Sequence, residues 1–155
     1  MKIVFYGVLI LVVGLLSLYT ISFTNMARDS RKPRQRDLVA GKLRACPGTP
    51  NCVLSEDKAS PFYIEPFPAG SDPAAAWLKI KEAVVELGGH VEKETGTYVW
   101  ATFSSKFWGF VDDLELRLDA GNKVIHVRSA SRAGKGDLGV NRKRVEKLRV
   151  LYMKK

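Results

Sequence analysis

The sequence predicts an α+β domain in which an antiparallel β-sheet of about four strands is covered by two helices, the whole preceded by one N-terminal transmembrane helix. Three observations lead there. Ile3 to Phe23 is an apolar run without a charged residue. Val111 to Leu118 alternates with a period of two: Leu114, Leu116 and Leu118 fall on one face, Asp113, Glu115 and Arg117 on the other. Two helix-spaced stripes, Trp77-Ile80-Val84-Leu87 and Val145-Leu148-Tyr152, bracket the strand-rich middle.

The apolar run is long enough to cross a hydrocarbon core as a helix. A cleaved signal peptide is the competing reading, with Lys2 as its charged start and Ile3–Leu16 as its apolar region. The run continues past Leu16, however, and Ala27 after Asn25-Met26 makes a poor cleavage site, so we read an uncleaved anchor. The chain then divides into an anchor over residues 1–24, a basic linker over 25–45 and a globular domain over 46–155. Pro33 and Gly41 break the linker, which is expected to lie along a membrane surface. It and the anchor carry six of the nine net positive charges. Basic residues beside an apolar helix favour anionic lipid headgroups as partner and make nucleic acid an unlikely one.

Cys46 and Cys52 are the only cysteines. The Pro-Gly-Thr-Pro-Asn between them forces turns that bring the thiols within bonding range, and their spacing suits neither a CxxC redox pair nor a four-ligand zinc site. We therefore expect a disulfide, which requires an oxidising compartment. The expectation conflicts with the positive-inside rule. That rule sets Lys2 against five Arg and Lys residues in Arg28–Arg36 and places the domain in the cytoplasm. We give the disulfide precedence and place the domain in the periplasm of a bacterial inner-membrane protein.

Beyond the linker, Phe62 to Gly70 reads as an extended, proline-rich lead-in. Asp72-Pro73 starts a helix that Gly88-Gly89 ends. Strands follow at His90–Glu94, Thr97–Phe103, Val111–Leu118 and Lys123–Ala130, with Asp119–Asn122 as a hairpin loop. Asp137 caps a closing helix over Leu138–Tyr152.

Two clusters could carry chemistry. In the acidic group Asp112, Asp113 and Glu115, the last two share a face and could serve as acid and base or hold a metal, but Arg117, Arg128 and Arg132 are close enough in the pattern to pair with the group. Asp112 falls on the leucine side, where a carboxylate needs an arginine or a helix end. The second cluster is Arg128, Ser129, Ser131, Arg132, Asn141 and Arg142, joined through glycines. Amides, hydroxyls and guanidinium forks together suit a phosphate or carboxylate. The structural alternative has Asn141, on the inward stripe of the closing helix, locking the glycine-rich loop to the sheet. His126 stands on the polar face without a nucleophile beside it. No metal-ligand spacing and no cofactor fingerprint occurs, so neither is expected. Phe107-Trp108-Gly109-Phe110 is an aromatic tip suited to a membrane interface or to folding back on the core.

Three segments in order, CPGTPNCVLSED, FWGFVDDLELRL and VRSASRAGKGDLGVNRKRVEKL, resemble the successive motifs of the domain-of-unknown-function family 1499. The resemblance spans Leu43 to Leu151. It implies a bacterial envelope or plastid setting, no established activity and no catalytic residues to carry over. The expected function is a non-catalytic, membrane-anchored binding or accessory module for an anionic ligand or lipid headgroup. The alternatives are a hydrolase using Asp112, Asp113 or Glu115 with His126, and a cytoplasmic nucleic-acid binder.

Overall fold

The computed structural model describes Lys2 to Lys154. Helix α1 spans Lys2–Ser30, and every residue from Ile3 to Ser22 is exposed. It is long and apolar enough to cross a membrane. It continues past the expected anchor boundary at residue 24, because its last turns pack on the domain: Ala27 and Ser30 are buried. Phe23 meets Trp108 and Phe110 edge-on at centroid distances of 5.1 and 5.0 Å.

The domain is α+β, as the pattern predicts. Strands β1 (Cys52–Leu54) and β2 (Phe67–Pro68) precede helix α2 (Pro73–Glu86). Strands β3 (His90–Glu94), β4 (Tyr98–Ser104), β5 (Val111–Asp119) and β6 (Val124–Ser131) follow, and helix α3 (Val140–Lys154) closes the chain. The strands pair with one another antiparallel, in the order β1-β6-β5-β4-β3, with β2 also on β6. The sheet therefore has six strands where about four are expected. β1 and β2 lie along the far edge of β6, and at three and two residues they are too short to show an alternation.

Helix α2 begins where the sequence places it: Asp72 accepts a hydrogen bond from the Ala75 amide and Pro73 opens the first turn. Ile80, Ala83 and Val84 from α2, and Val145 and Leu148 from α3, pack on Leu114, Leu116, Ile125 and Val127, all fully buried. Truncating any of the large members would cost about 2–5 kcal/mol.

The opposite face of the sheet departs from expectation. The alternation marks this side as polar, and it is closed from water: Asp113 is 1% and Glu115 0% exposed. The cover is the segment expected to be a surface linker. Residues 31–46 cross this face as a strap, with Leu38, Leu43 and Cys46 packed on Leu54, Tyr98 and Trp100. Arg31 donates to the carbonyls of Trp108 and Gly109 at 2.5 and 3.0 Å. Gly109 lies under that guanidinium at φ +67°, where a side chain would be strained and would push Arg31 aside. The strap's far end is tied down by the Cys46–Cys52 disulfide, as the spacing predicts. We predict that reduction lowers the stability of the full chain by about 2 kcal/mol. Thermal unfolding with and without reductant measures this.

Candidate functional site

Strand β5 sends its acids to both faces of the sheet, and each meets arginine. On the strap side, Asp113 Oδ1 accepts from Arg132 Nε and Nη2 at 2.9 and 2.7 Å and from Trp100 Nε1 at 2.8 Å. Its Oδ2 accepts from Arg36 Nε and Nη2 at 3.0 and 2.9 Å. Burial alone would raise this carboxyl's pKa. Hydrogen bonds from Arg132 and Trp100, with the charges of Arg36 and Arg132, outweigh it and hold the value below the ordinary one. Arg132 Nη1 also donates to the Ser30 carbonyl at 3.2 Å, at the C-terminal end of α1, where a cation is favoured.

Two residues along, Glu115 Oε2 accepts from Arg128 Nη1 at 2.8 Å and Oε1 from the Tyr98 hydroxyl at 3.0 Å. Burial, then the Glu115 charge, push the Tyr98 phenol well above its usual range. Burial lowers the Arg128 pKa while Glu115 opposes the shift.

On the helix side, Arg144 Nη2 meets Asp112 Oδ2 at 2.6 Å. Arg144 Nη1 donates to Ser129 Oγ at 3.0 Å and to Asn141 Oδ1 at 2.5 Å, and its guanidinium lies 4.8 Å from the Phe103 ring centre. The Asn141 amide faces Asp137 Oδ2, Ser131 Oγ and the Asn51 carbonyl at 2.8, 2.9 and 3.2 Å. Asp137 in turn accepts from the Gly139 and Asn141 amides. Asn51 Nδ2 reaches the Gly134 carbonyl at 2.7 Å, so the loop from 132 to 139 is pinned to β1 and to α3.

The predicted site residues therefore separate. Arg128 and Arg132 face the strap and are taken by Glu115 and Asp113. Ser129, Ser131 and Asn141 form the lock on the other side of the sheet. Arg142 reaches neither group; it donates to the Tyr63 carbonyl at 2.8 Å. Arg117 pairs with Glu56 and Asp119 instead of the acidic cluster, because both stand nearer its end of the strand. His126 Nδ1 lies 3.2 Å from Ser55 Oγ, which is itself buried and accepts from the Val127 amide. Desolvation lowers the pKa of this histidine, with Glu56 opposing. The hydrolase set is thus not assembled: Asp112 is on the helix side, Asp113 and Glu115 are neutralised, and His126 is bonded elsewhere. No group of three His, Cys, Asp or Glu suited to a metal occurs among the described residues.

Pattern reading missed the partners that complete these pairs. Arg36 lies 77 residues from Asp113. Arg144, in the closing NRKR, could have been found by asking which basic residue shares the inward face with Asn141. It missed two cavities as well. One is a groove lined by Phe103, Lys106, Asp112, Lys143, Arg144 and Lys147, four cations to one carboxylate among these. The other, about 250 Å³, adjoins it through Ser105, Asp112 and Val140 and is walled by Phe23, Met26 and Phe110.

The fold and the paired charges define a small α+β domain carried on one apolar helix, its polar motifs satisfied internally. The chain belongs to the family described as a protein of unknown function (DUF1499), whose model matches residues 42–151. No curated protein and no solved structure matches it.

Asp113→Asn removes the buried counter-ion of two part-buried guanidinium groups and should cost about 3 kcal/mol, the low end for a broken buried pair, in thermal unfolding of the full chain. The fold prefers the ionised carboxylate. Its contribution is therefore complete above the unfolded-chain value of about 3.9 and fades as pH falls through the depressed folded value. The variant should lose this part of the acid sensitivity.

Proposed function

We propose that the chain is a single-pass protein of the bacterial inner membrane whose domain faces the periplasm and serves as a non-catalytic module binding the anionic headgroup of a membrane lipid. The observation that carries this is the cationic groove of Lys106, Lys143, Arg144 and Lys147, which abuts the cavity walled by the end of α1. The three lysines are exposed, while Arg144 is held by Asp112, Ser129 and Asn141 and stiffens the floor. Flexible ammonium groups over a fixed floor suit a phosphate approached from solvent. This reading moves the anionic ligand from Arg128, Arg132 and Arg142 to these lysines, because Glu115 and Asp113 take the first two and the exposed Arg142 lies outside the groove, on the Tyr63 carbonyl. The disulfide supports the periplasmic side, since such bonds persist in oxidising compartments.

Two measurements test the reading. In native mass spectrometry of the full chain in detergent, phosphatidylglycerol should be retained over phosphatidylcholine. The double change Lys143→Gln with Lys147→Gln should weaken that retention by about thirtyfold at low salt, at about 1 kcal/mol for each lysine. Equal retention of the two lipids would refute headgroup binding. For the orientation, a membrane-impermeant reductant followed by an impermeant maleimide on intact cells should label the cysteines. Labelling that appears only after lysis would place the domain on the cytoplasmic side.

A further inference from the structure

The headgroup reading leaves the cavity of about 250 Å³ without a role. The geometry points to it as a site for one acyl chain of a bilayer lipid, received from the membrane alongside α1. The inference rests on the membrane setting proposed above and adds a hydrocarbon site to its headgroup site.

The walls are apolar where a ligand would touch them: Phe23 and Met26 from α1, Phe110 from the β4–β5 tip, and Ala133, Leu138 and Val140 from the glycine-rich loop and α3. The polar side chains around them are engaged within the protein. Ser105 Oγ accepts from the Phe110 amide, Ser131 Oγ from Asn141, Asp112 from Arg144, and Asp137 from Gly139 and Asn141. The volume lies below the range of pockets that enclose drug-sized molecules, about 300–1,000 Å³, and takes a segment of one flexible chain, the remainder staying in the bilayer.

Its depth fits the same occupant. Ile3 to Ile21 is exposed on all sides and spans about 28 Å at 1.5 Å per residue, close to the thickness of a hydrocarbon core. Phe23 stands about 3 Å beyond Ile21 along the helix and Met26 about 8 Å, which puts the cavity at the boundary of hydrocarbon and headgroups. Two apolar side chains project from this end. Phe107 is 86% exposed and packs edge-on against Trp108, which continues the stack onto Phe23. Leu138 is 94% exposed at φ +54°, a left-handed conformation unfavourable for leucine, and it belongs to the cavity wall. Exposure and backbone conformation are both costly for this residue in water, and hydrocarbon contact offsets the first. The cationic groove shares Ser105, Asp112 and Val140 with the cavity, so one lipid can place its headgroup on the lysines and a chain beside Met26.

The test uses the full chain in nanodiscs of equal parts phosphatidylcholine and phosphatidylglycerol, with a diazirine in one acyl chain of either lipid. After illumination, adducts are mapped by peptide mass spectrometry. We expect adducts on Met26, Ala133 or Val140 as well as along Ile3–Ile21. Ala133→Phe, which fills the cavity from its wall, should reduce the first set at least tenfold and leave the second. If that variant unfolds at a lower temperature, Val140→Trp supplies the filling from the rim. Adducts confined to Ile3–Ile21, or cavity adducts that survive both fillings, overturn the chain site. Cavity adducts of equal yield from the two lipids support the chain site and overturn the headgroup preference. Absence of adducts along Ile3–Ile21 overturns the membrane setting and the chain site with it.

Discussion

A carboxylate withdrawn from water must be matched by donors that replace its hydration, and Asp113 meets that requirement with three side chains from three parts of the chain. Trp100 comes from the neighbouring strand, Arg132 from the end of β6, and Arg36 from the strap. Arg132 also donates to the carbonyls of Ser30, the last residue of α1, and of Lys32 just beyond it. One acid therefore fixes the end of the apolar helix, the path of the strap and the register of the central strands. Buried ion pairs of this kind often add little net stability over an apolar replacement of the same shape. What the arrangement supplies here is direction. A guanidinium fork bonded through two nitrogens to one carboxylate has few alternative poses, so the helix end is held at a defined place on the sheet.

That placement has consequences at the other side of the sheet. Asp112, one residue earlier, necessarily points the opposite way, and it draws Arg144 from α3. Arg144 then orders Ser129 and Asn141, and Asn141 orders the glycine-rich loop. Adjacent acids on one strand thus anchor the two sides of the apolar cavity: Asp113 through α1, Asp112 through α3 and the loop. The groove and the cavity sit between these two anchors, which is why their walls come from segments far apart in sequence.

Much of the architecture was legible. The Leu114-Leu116-Leu118 alternation gave the sheet's inner face, Asp72-Pro73 gave the start of α2, and the Val145-Leu148-Tyr152 stripe correctly predicted that Asn141 would be buried and bonded. The requirement that Asp112 find an arginine or a helix end followed from its face alone, and Arg144 fills it. The burial of the opposite face was not legible. A period of two with charged residues reads as solvated, and nothing local says that a proline-broken, arginine-rich segment will return to cover it. The strap has only Leu38, Leu43 and Cys46 as apolar contacts, too few to show a periodicity. The short edge strands were hidden for a related reason: β2 is a Phe-Pro pair whose pairing depends on β6 already being in place. The lysine groove needed tertiary structure outright, since Lys106 is on a hairpin tip and Lys143 and Lys147 are one turn apart on α3.

The charged residues of the three motifs by which the family is recognised are largely satisfied by one another. Asp112, Asp113 and Glu115 meet Arg144, Arg132 and Arg128, while Asp137 and Asn141 close the loop. A group that already has a strong internal partner is a poor ligand for anything else, because a guest would have to displace that partner and leave a buried charge exposed to loss. On the binding reading proposed above, recognition chemistry therefore has to come from groups the motifs position without consuming. Lys106, Lys143 and Lys147 on the rim, and the apolar walls between the loop and α1, meet that description. The motifs in this fold act as a frame, and the rim residues can be exchanged without disturbing the pairs beneath.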